Sequence, residues 1–365
     1  MRFLFLVLVM FSESVLAGTL VFGPGVHNLA KPVVINTDNT YIELQPGAVL
    51  RGVDPIVIIK GPVTNVGISG GGTLEGGVLA YGSLGNISLQ DFNITLAGNA
   101  IQIVGESGGC HNLRVTGMNV YNVGEGVLFR NCQDFYIYNN TISDMWDQDG
   151  IEPVNSQRGI ISNNRVTNPG TNNSAIDVFV NKSTYPGELA EISSVTITNN
   201  ILTRTTPGFY ASGVNIEGNV IGVSLRGNQI TGTYGNGIRL IGKPHNITIT
   251  DNVFRDINVG MSVDGGENII ISDSQFTNIY KWSIVTGVQT APPIFILNNN
   301  FSGDATHIAG SSNVTIDGNT FSGQGWAIAN GTNPAMSVTN NEFLGPYSIS
   351  KPTASNLFKI NNIGE

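Results

Sequence analysis

The sequence predicts an all-β protein, a single-stranded parallel β-helix (solenoid) of roughly a dozen coils. Three observations predict it. One short phrase returns along the chain, at residues 87–94, 135–142, 195–202, 314–321 and 336–343. Within the phrase apolar and polar residues alternate, β-branched residues prevail, and Gly or Asn closes the run, which is a strand bounded by turns. No stretch sustains the 3.6-residue apolar stripe of a helix.

The third residue of each phrase serves as a pivot. The pivots are Leu89, Val115, Ile137, Ile161, Ile197, Leu225, Ile249, Ile271, Ile296, Ile316 and Val338, an average spacing of about 25 residues, as in a repeat architecture. Repeats of this length with strands and no helix stack as coils ~4.8 Å apart, so a dozen coils make a rod about 55–60 Å long.

Five residues past each pivot stands an apolar residue, and in the last five coils it is Phe254, Phe276, Phe301, Phe321 and Phe343, which predicts a stacked interior column. Three residues past the pivot stand Asn140, Asn164, Asn200, Asn228, Asn252, Ser274, Asn299, Asn319 and Asn341. Their amides can bond to the same site one coil away, and Asn tolerates the left-handed backbone of a recurring bend. A second strand follows a small residue in most coils, beginning Ala100-Ile, Gly126-Val, Gly150-Ile, Ala175-Ile, Gly213-Val, Gly237-Ile and Gly260-Met.

Composition narrows the function. Charged residues make up only 12% of the chain, against roughly 25% in ordinary globular proteins. A net charge of −9 with 17 scattered Lys and Arg provides no basic stripe for a nucleic-acid backbone. Residues 1–17 read as an export signal, with Arg2, an apolar run from Phe3 to Phe11, and a small-residue cleavage site at Val15-Leu16-Ala17. That run is too short to span a bilayer and no later segment is long enough, so the expected location is secreted or cell surface. Residues 18–365 are expected to form one domain, with 18–60 as the amino-terminal cap and first coils and 345–365 as the carboxy-terminal cap. A monomer is expected.

Cys110 and Cys132 each precede a pivot by five residues, so they stack on adjacent coils at a separation that a disulfide accepts. In an exported protein the expectation is a bridge, or otherwise two buried thiols.

In a β-helix alternate side chains of each strand point outward, and one outward position repeated over several coils becomes a column along a groove. The groove column reads Gln102, Leu128, Glu152, Asp177, Asn215, Arg239 and Ser262, and the entry column, one residue before the small residue, reads Asn99, Glu125, Asp149, Ser174, Ser212, Asn236 and Val259. The middle coils gather Asp149, Glu152, Asp177 and Arg239, with Asp144 and Asp147 beside them. Carboxylates one or two coils apart suit general acid and base work on glycosidic bonds, and like charges that close raise one another's pKa. The bland alternatives are an exposed acidic face or a structural calcium site. Asp149, Glu152 and Asp177 are the catalytic candidates. Arg239, Asn215, Ser212, Trp146, Tyr210, Tyr234 and Lys182 are the candidate sugar contacts, aromatic faces being good platforms for sugar rings. No residue is assigned to a metal.

The succession Asp147-Gln-Asp-Gly-Ile-Glu152, Asn173-Ser-Ala-Ile-Asp177, Ala211-Ser-Gly-Val-Asn-Ile216 and Gly237-Ile-Arg-Leu240 resembles the polygalacturonase family of pectin-hydrolysing β-helices. That family carries Asn-Thr-Asp-Gly, Asp-Asp, Gly-His-Gly and Arg-Ile-Lys in the same order. The resemblance implies a right-handed β-helix of the pectin-lyase-like superfamily, with Asp149 as the first catalytic Asp and Arg239 as the substrate-binding Arg. The Asp-Asp pair is here Asn173-Ser174, the His is Ser212 and the Lys is Ile241. Asp177 and Glu152 then have to stand in for the missing pair.

Three functions are carried forward. The first is hydrolysis of an acidic, uronate-containing polysaccharide, which needs no cofactor. The second is a calcium-dependent polysaccharide lyase or uronate epimerase, in which Arg239, Lys182 or Lys243 takes the C5 proton. The third is a non-catalytic glycan-binding or adhesion β-helix.

Overall fold

The computed structural model describes residues 17–180, 191–287, 293–310, 313–330, 336–345, 347–349 and 357–360. The expected export signal lies outside the described residues but for Ala17, as does most of the expected carboxy-terminal cap. Strands and turns account for the described fold, and strand pairing is parallel. Among the described residues no helix is long and apolar enough to cross a membrane.

Every pivot pairs with the next in register, from Leu89 opposite Val115 to Ile316 opposite Val338. Earlier coils extend the same column back through Ile68 and Ile42 to Leu20. The pivots from Leu89 to Val338 are all fully buried. Each coil has three faces. One carries the pivot, a second carries the residue five positions on, and a third carries the groove strand. The interior between them is lined by buried apolar side chains, and their burial drives folding.

Two ladders lock the register. The phenyl rings of Phe254, Phe276, Phe301, Phe321 and Phe343 stack with centroids 4.5, 4.9, 4.9 and 5.1 Å apart. The Asn ladder is buried. Asn164 shows its pattern, since its amide nitrogen donates to Asn200 Oδ1 and to the Ile137 carbonyl, both at 3.0 Å, and its Oδ1 accepts from Asn140. The residue just before takes the left-handed backbone, with φ of 53–56° at Asn139, Asn163, Asn199, Asn298 and Asn340. Asn holds that conformation at little cost.

Cys110 and Cys132 are register partners on adjacent coils and both are buried. The stacking is as expected, and of the two expected outcomes the pair is the second, two buried thiols. Burial, with the neighbouring Cys110 thiol, pushes the Cys132 thiol well above its ordinary pKa, which disfavours the thiolate.

Candidate active site

Register carries the predicted columns into space. Along the groove face Gln102 pairs with Leu128, Leu128 with Glu152, Asp177 with Asn215, Asn215 with Arg239, and Arg239 with Ser262. The Ile151–Ile176 pairing sets Glu152 beside Asp177. Entry-column residues follow, with Asn99 opposite Glu125 and Ser212 opposite Asn236. The small residue between the columns is a packing requirement. A Cβ at Gly150 would meet the Ala175 carbonyl at 2.6 Å, so a side chain there would push apart the coils that bear Asp149 and Asp177.

Asp149, Glu152 and Asp177 converge. One carboxylate oxygen from each lies within 4.8 Å of the other two. Asp149 is buried, and its Oδ1 accepts the Ser174 backbone N–H. Asp177 Oδ1 accepts from Asn215 Nδ2 at 3.0 Å. Asn215 is buried and also reaches Glu217 at 3.4 Å.

A fourth acid completes the group. Glu125 is buried in the entry column and forms a side-chain hydrogen bond with Glu152. Two carboxyl groups bonded in this way share a proton. In sequence terms Glu125 stands in the entry column with no role assigned. The signal was present, since Glu125 precedes Gly126 as Asp149 precedes Gly150.

The electrostatics follow from burial among like charges. Burial raises the Glu152 pKa to about 8, its bond to Glu125 adding to the rise and Arg130 opposing it. Burial raises Asp149 to about 7, against the Ser174 N–H, which favours the ionised form. Glu125 rises to about 6, again mainly through burial. Asp177 is held well above the ordinary carboxylate range by burial, then by Asp149 and Glu152. The group therefore titrates as a coupled set near neutrality, where it can donate a proton as well as accept one.

The remaining candidates divide. Arg239 is half-exposed on the groove column between Asn215 and Ser262. Trp146 is exposed, and its ring lies over Gly124 next to Glu125. Tyr234 and Ser212 correct the expectation of sugar contacts, because both are fully buried. Tyr234 sits beside Arg204, and burial drives its phenol pKa upward. Lys182 and the side chain of Tyr210 lie outside the described residues.

Arg204 has a role that the repeat did not signal. Its guanidinium is buried and donates to the carbonyls of Thr206, Pro169, Gly170 and Thr171 at 2.7–3.2 Å. Those carbonyls belong largely to the turn that leads into Asn173 and Ser174. Asn173 donates from its side chain to the Asp147 carbonyl, and Ser174 donates its N–H to Asp149. Arg204 thus anchors the segment that orients Asp149.

A long stack of parallel coils with acids gathered on one face defines a class, the right-handed β-helices. The family described as right handed beta helix region matches residues 76–300, and the chain belongs to it. No curated protein matches the sequence. Solved structures share the pectin-lyase-like fold. A mutant tailspike protein of E. coli bacteriophage HK620, in complex with a pentasaccharide, is 12% identical with a TM-score of 0.58, over 94% of this chain and 72% of that one. The A-module of the Azotobacter vinelandii mannuronan C-5 epimerase AlgE6 is 15% identical with a TM-score of 0.54, over 90% and 91% of the two chains. The catalytic unit of a GH87 α-1,3-glucanase from Streptomyces thermodiastaticus is 14% identical with a TM-score of 0.52, over 95% and 63%. The chain spans about two thirds of the length of the glucanase unit and of two further tailspike structures, at 63%, 65% and 64%.

Proposed function

We propose that this chain is a secreted glycoside hydrolase acting on a uronate-containing polysaccharide laid along the groove face. One observation carries the reading: Asp149, Glu152 and Asp177, from separate coils, bring their carboxylate oxygens within 4.8 Å of one another. That is close to the ~5–5.5 Å separation of paired carboxyl groups in retaining glycosidases. Glu152, raised to about 8, holds a proton at neutral pH and serves as general acid toward the glycosidic oxygen. Asp149, whose Ser174 N–H contact favours the ionised form, supplies the carboxylate that stabilises or attacks the sugar carbon, and Asp177 stands beside it as a second proton carrier. Arg239 pairs with a substrate carboxylate, a contact that a guanidinium makes in bidentate fashion. The fold neighbours, a tailspike bound to a pentasaccharide, a mannuronan epimerase and a glucanase, support a polysaccharide as the partner class.

The same three oxygens favour a second reading, because a cluster of carboxylates is a donor set for a hard cation. In a lyase or epimerase Asp149, Glu152 and Asp177 would hold calcium against the substrate carboxylate. The metal would acidify the C5 proton, and Arg239 or the exposed Lys243 would take it.

One assay separates these readings. Pectic, algal and microbial acidic polysaccharides are incubated with the protein, with calcium or with chelator, and read for reducing ends and for ultraviolet-absorbing products. Hydrolysis gives reducing ends without absorbance, insensitive to chelator and lost in Asp149→Asn, Glu152→Gln and Asp177→Asn. Absorbing products abolished by chelator indicate the lyase, and a chelator-sensitive change in uronate composition of the intact polymer, read by proton NMR, indicates the epimerase. Binding without turnover, unaffected by those substitutions, indicates the non-catalytic binder and overturns the proposal.

A further inference from the structure

The most exposed aromatic side chains of the described residues are Tyr280 at 68%, Trp146 at 61% and Trp326 at 47%. They are far apart in sequence, yet Trp146 and Tyr280 emerge from one recurring turn, the bend that leads from the second face of a coil into its groove strand, and Trp326 follows at the start of that strand, level with Thr306 and Trp282 in the entry column. Trp146 and Tyr280 each stand nine residues past a pivot, Ile137 and Ile271, and Trp326 stands ten past Ile316. The backbone confirms the equivalence. Trp146 N donates to the Val123 carbonyl and Tyr280 N to the Ile257 carbonyl, each the residue eight past its own pivot one coil back.

From this alignment we infer that the edge of the groove carries a glycan-binding track, running from Trp146 beside the acidic cluster to Trp326. Its occupant is a linear, acidic polysaccharide strand lying parallel to the rod axis. The inference rests on the proposed function for its ligand class and extends it to chain length and direction. At ~4.8 Å per coil, Trp146 and Tyr280 are about 24 Å apart along the axis, and Tyr280 and Trp326 about 10 Å. Only a polymer spans such a length.

Two features set direction and charge. On the amino-terminal side of the cluster the equivalent turn positions are Gly77, Gly98 and Gly124, and within the track Gly170, Thr206 and Asn258 offer no ring either, so the direction is set by the exposed Tyr280 and Trp326, both carboxy-terminal to the cluster. Along it stand the half-exposed Arg239 and the exposed Lys281. Lys281 Nζ lies 3.9 Å from the ring centroid of Trp282, which holds a cation at the track edge. Trp282 is itself part of the entry column, paired with Val259 and Thr306. Rings supply stacking area and the cations select carboxylate-bearing sugars.

The test uses the full chain and the surface substitutions Tyr280→Ala, Trp326→Ala and Lys281→Ala, which touch neither the acidic cluster nor the core. Affinity is measured by calorimetry with polygalacturonate and alginate as polymers, with their dimers and trimers, and with neutral dextran. Each ring removed should weaken polymer binding about threefold to tenfold, with no change for dimers and trimers. Lys281→Ala should narrow the preference for uronates over dextran. Polymer affinity that is unchanged in both ring variants, or that falls equally for trimers, overturns the track. The titrations are run with Glu152→Gln added to every variant, so that binding is read without turnover, and a ring-dependent affinity in a chain whose parent hydrolyses nothing retains the track and rejects the hydrolase.

Discussion

Glu152 and Asp177 stand side by side on successive coils with carboxylate oxygens inside 4.8 Å, and Arg130 only partly offsets the rise that burial and Glu125 impose on the Glu152 pKa. The arrangement is stable only while the group keeps protons, and that has a consequence for folding. Glu125, Asp149 and Glu152 have native pKa values of about 6, 7 and 8, against about 4 for unfolded carboxyls. Between those limits the native state binds more protons than the unfolded one. Stability therefore falls as pH rises from about 4 through about 8. Urea midpoints across that range should decline, and Glu152→Gln should flatten the upper part of the decline. A midpoint that climbs through the window contradicts the coupled cluster.

The Asn ladder predicts a graded response. Asn228 donates to the Ile197 carbonyl and to Asn252 Oδ1, and its own Oδ1 accepts from Asn200. Asn228→Ala removes the acceptor of the buried Asn200 backbone N–H and the side-chain donor to the Ile197 carbonyl, at about 1–3 kcal/mol for each group left without a partner. Ser274 occupies the same position naturally, with its hydroxyl accepting from Asn252 N and donating to the Ser272 carbonyl. Asn228→Ser should thus cost less than Asn228→Ala by thermal unfolding, and equal losses would show that the ladder does not carry the stability assigned to it.

Arg204 predicts coupling between a buried scaffold and the site. Arg204→Met removes the donor to four carbonyls, where each bond to a charged group contributes about 1.5–3 kcal/mol. The variant should be destabilised by several kcal/mol in urea unfolding. It should also shift the acid limb of any pH–rate profile upward, because Asp149 loses the ordered Ser174 N–H that favours its ionised form. Arg204→Lys should rescue only part of both effects, since an ammonium is a compact donor and cannot match the planar fork. Loss of stability with an unmoved pH profile would reduce Arg204 to a purely structural anchor.

Most of the fold was legible because a solenoid converts sequence period into position. Leu89 and Val338 belong to one column whatever the loops between them do, and the same holds for Phe254 and Phe343 or Asn140 and Asn341. The convergence of Asp149, Glu152 and Asp177 followed from that register. What the period does not specify is how a side chain turns once its column is fixed. Glu125 and Glu152 lie in different columns, so their hydrogen bond had no signature. Tyr234 stands at the turn position that exposes Trp146 and Tyr280, but beside Arg204 it is fully buried. Arg204 itself belongs to an excursion from the repeat, where spacing carries no information. The cysteines show the same division, since register stacked them but did not fix their redox state.

The central claim is that acids from separate coils act as one proton-sharing group. It is tested most directly by NMR titration of the full chain with 13C-labelled carboxyl groups of Asp and Glu. The account predicts carboxyls that titrate at about 6, 7 and 8, assigned to Glu125, Asp149 and Glu152, with a fall in the Glu152 value in Glu125→Gln and in the Asp149 value in Glu152→Gln. Titration of all three near 4, the ordinary value for isolated carboxyls, or values unmoved by Glu125→Gln and Glu152→Gln, would contradict it.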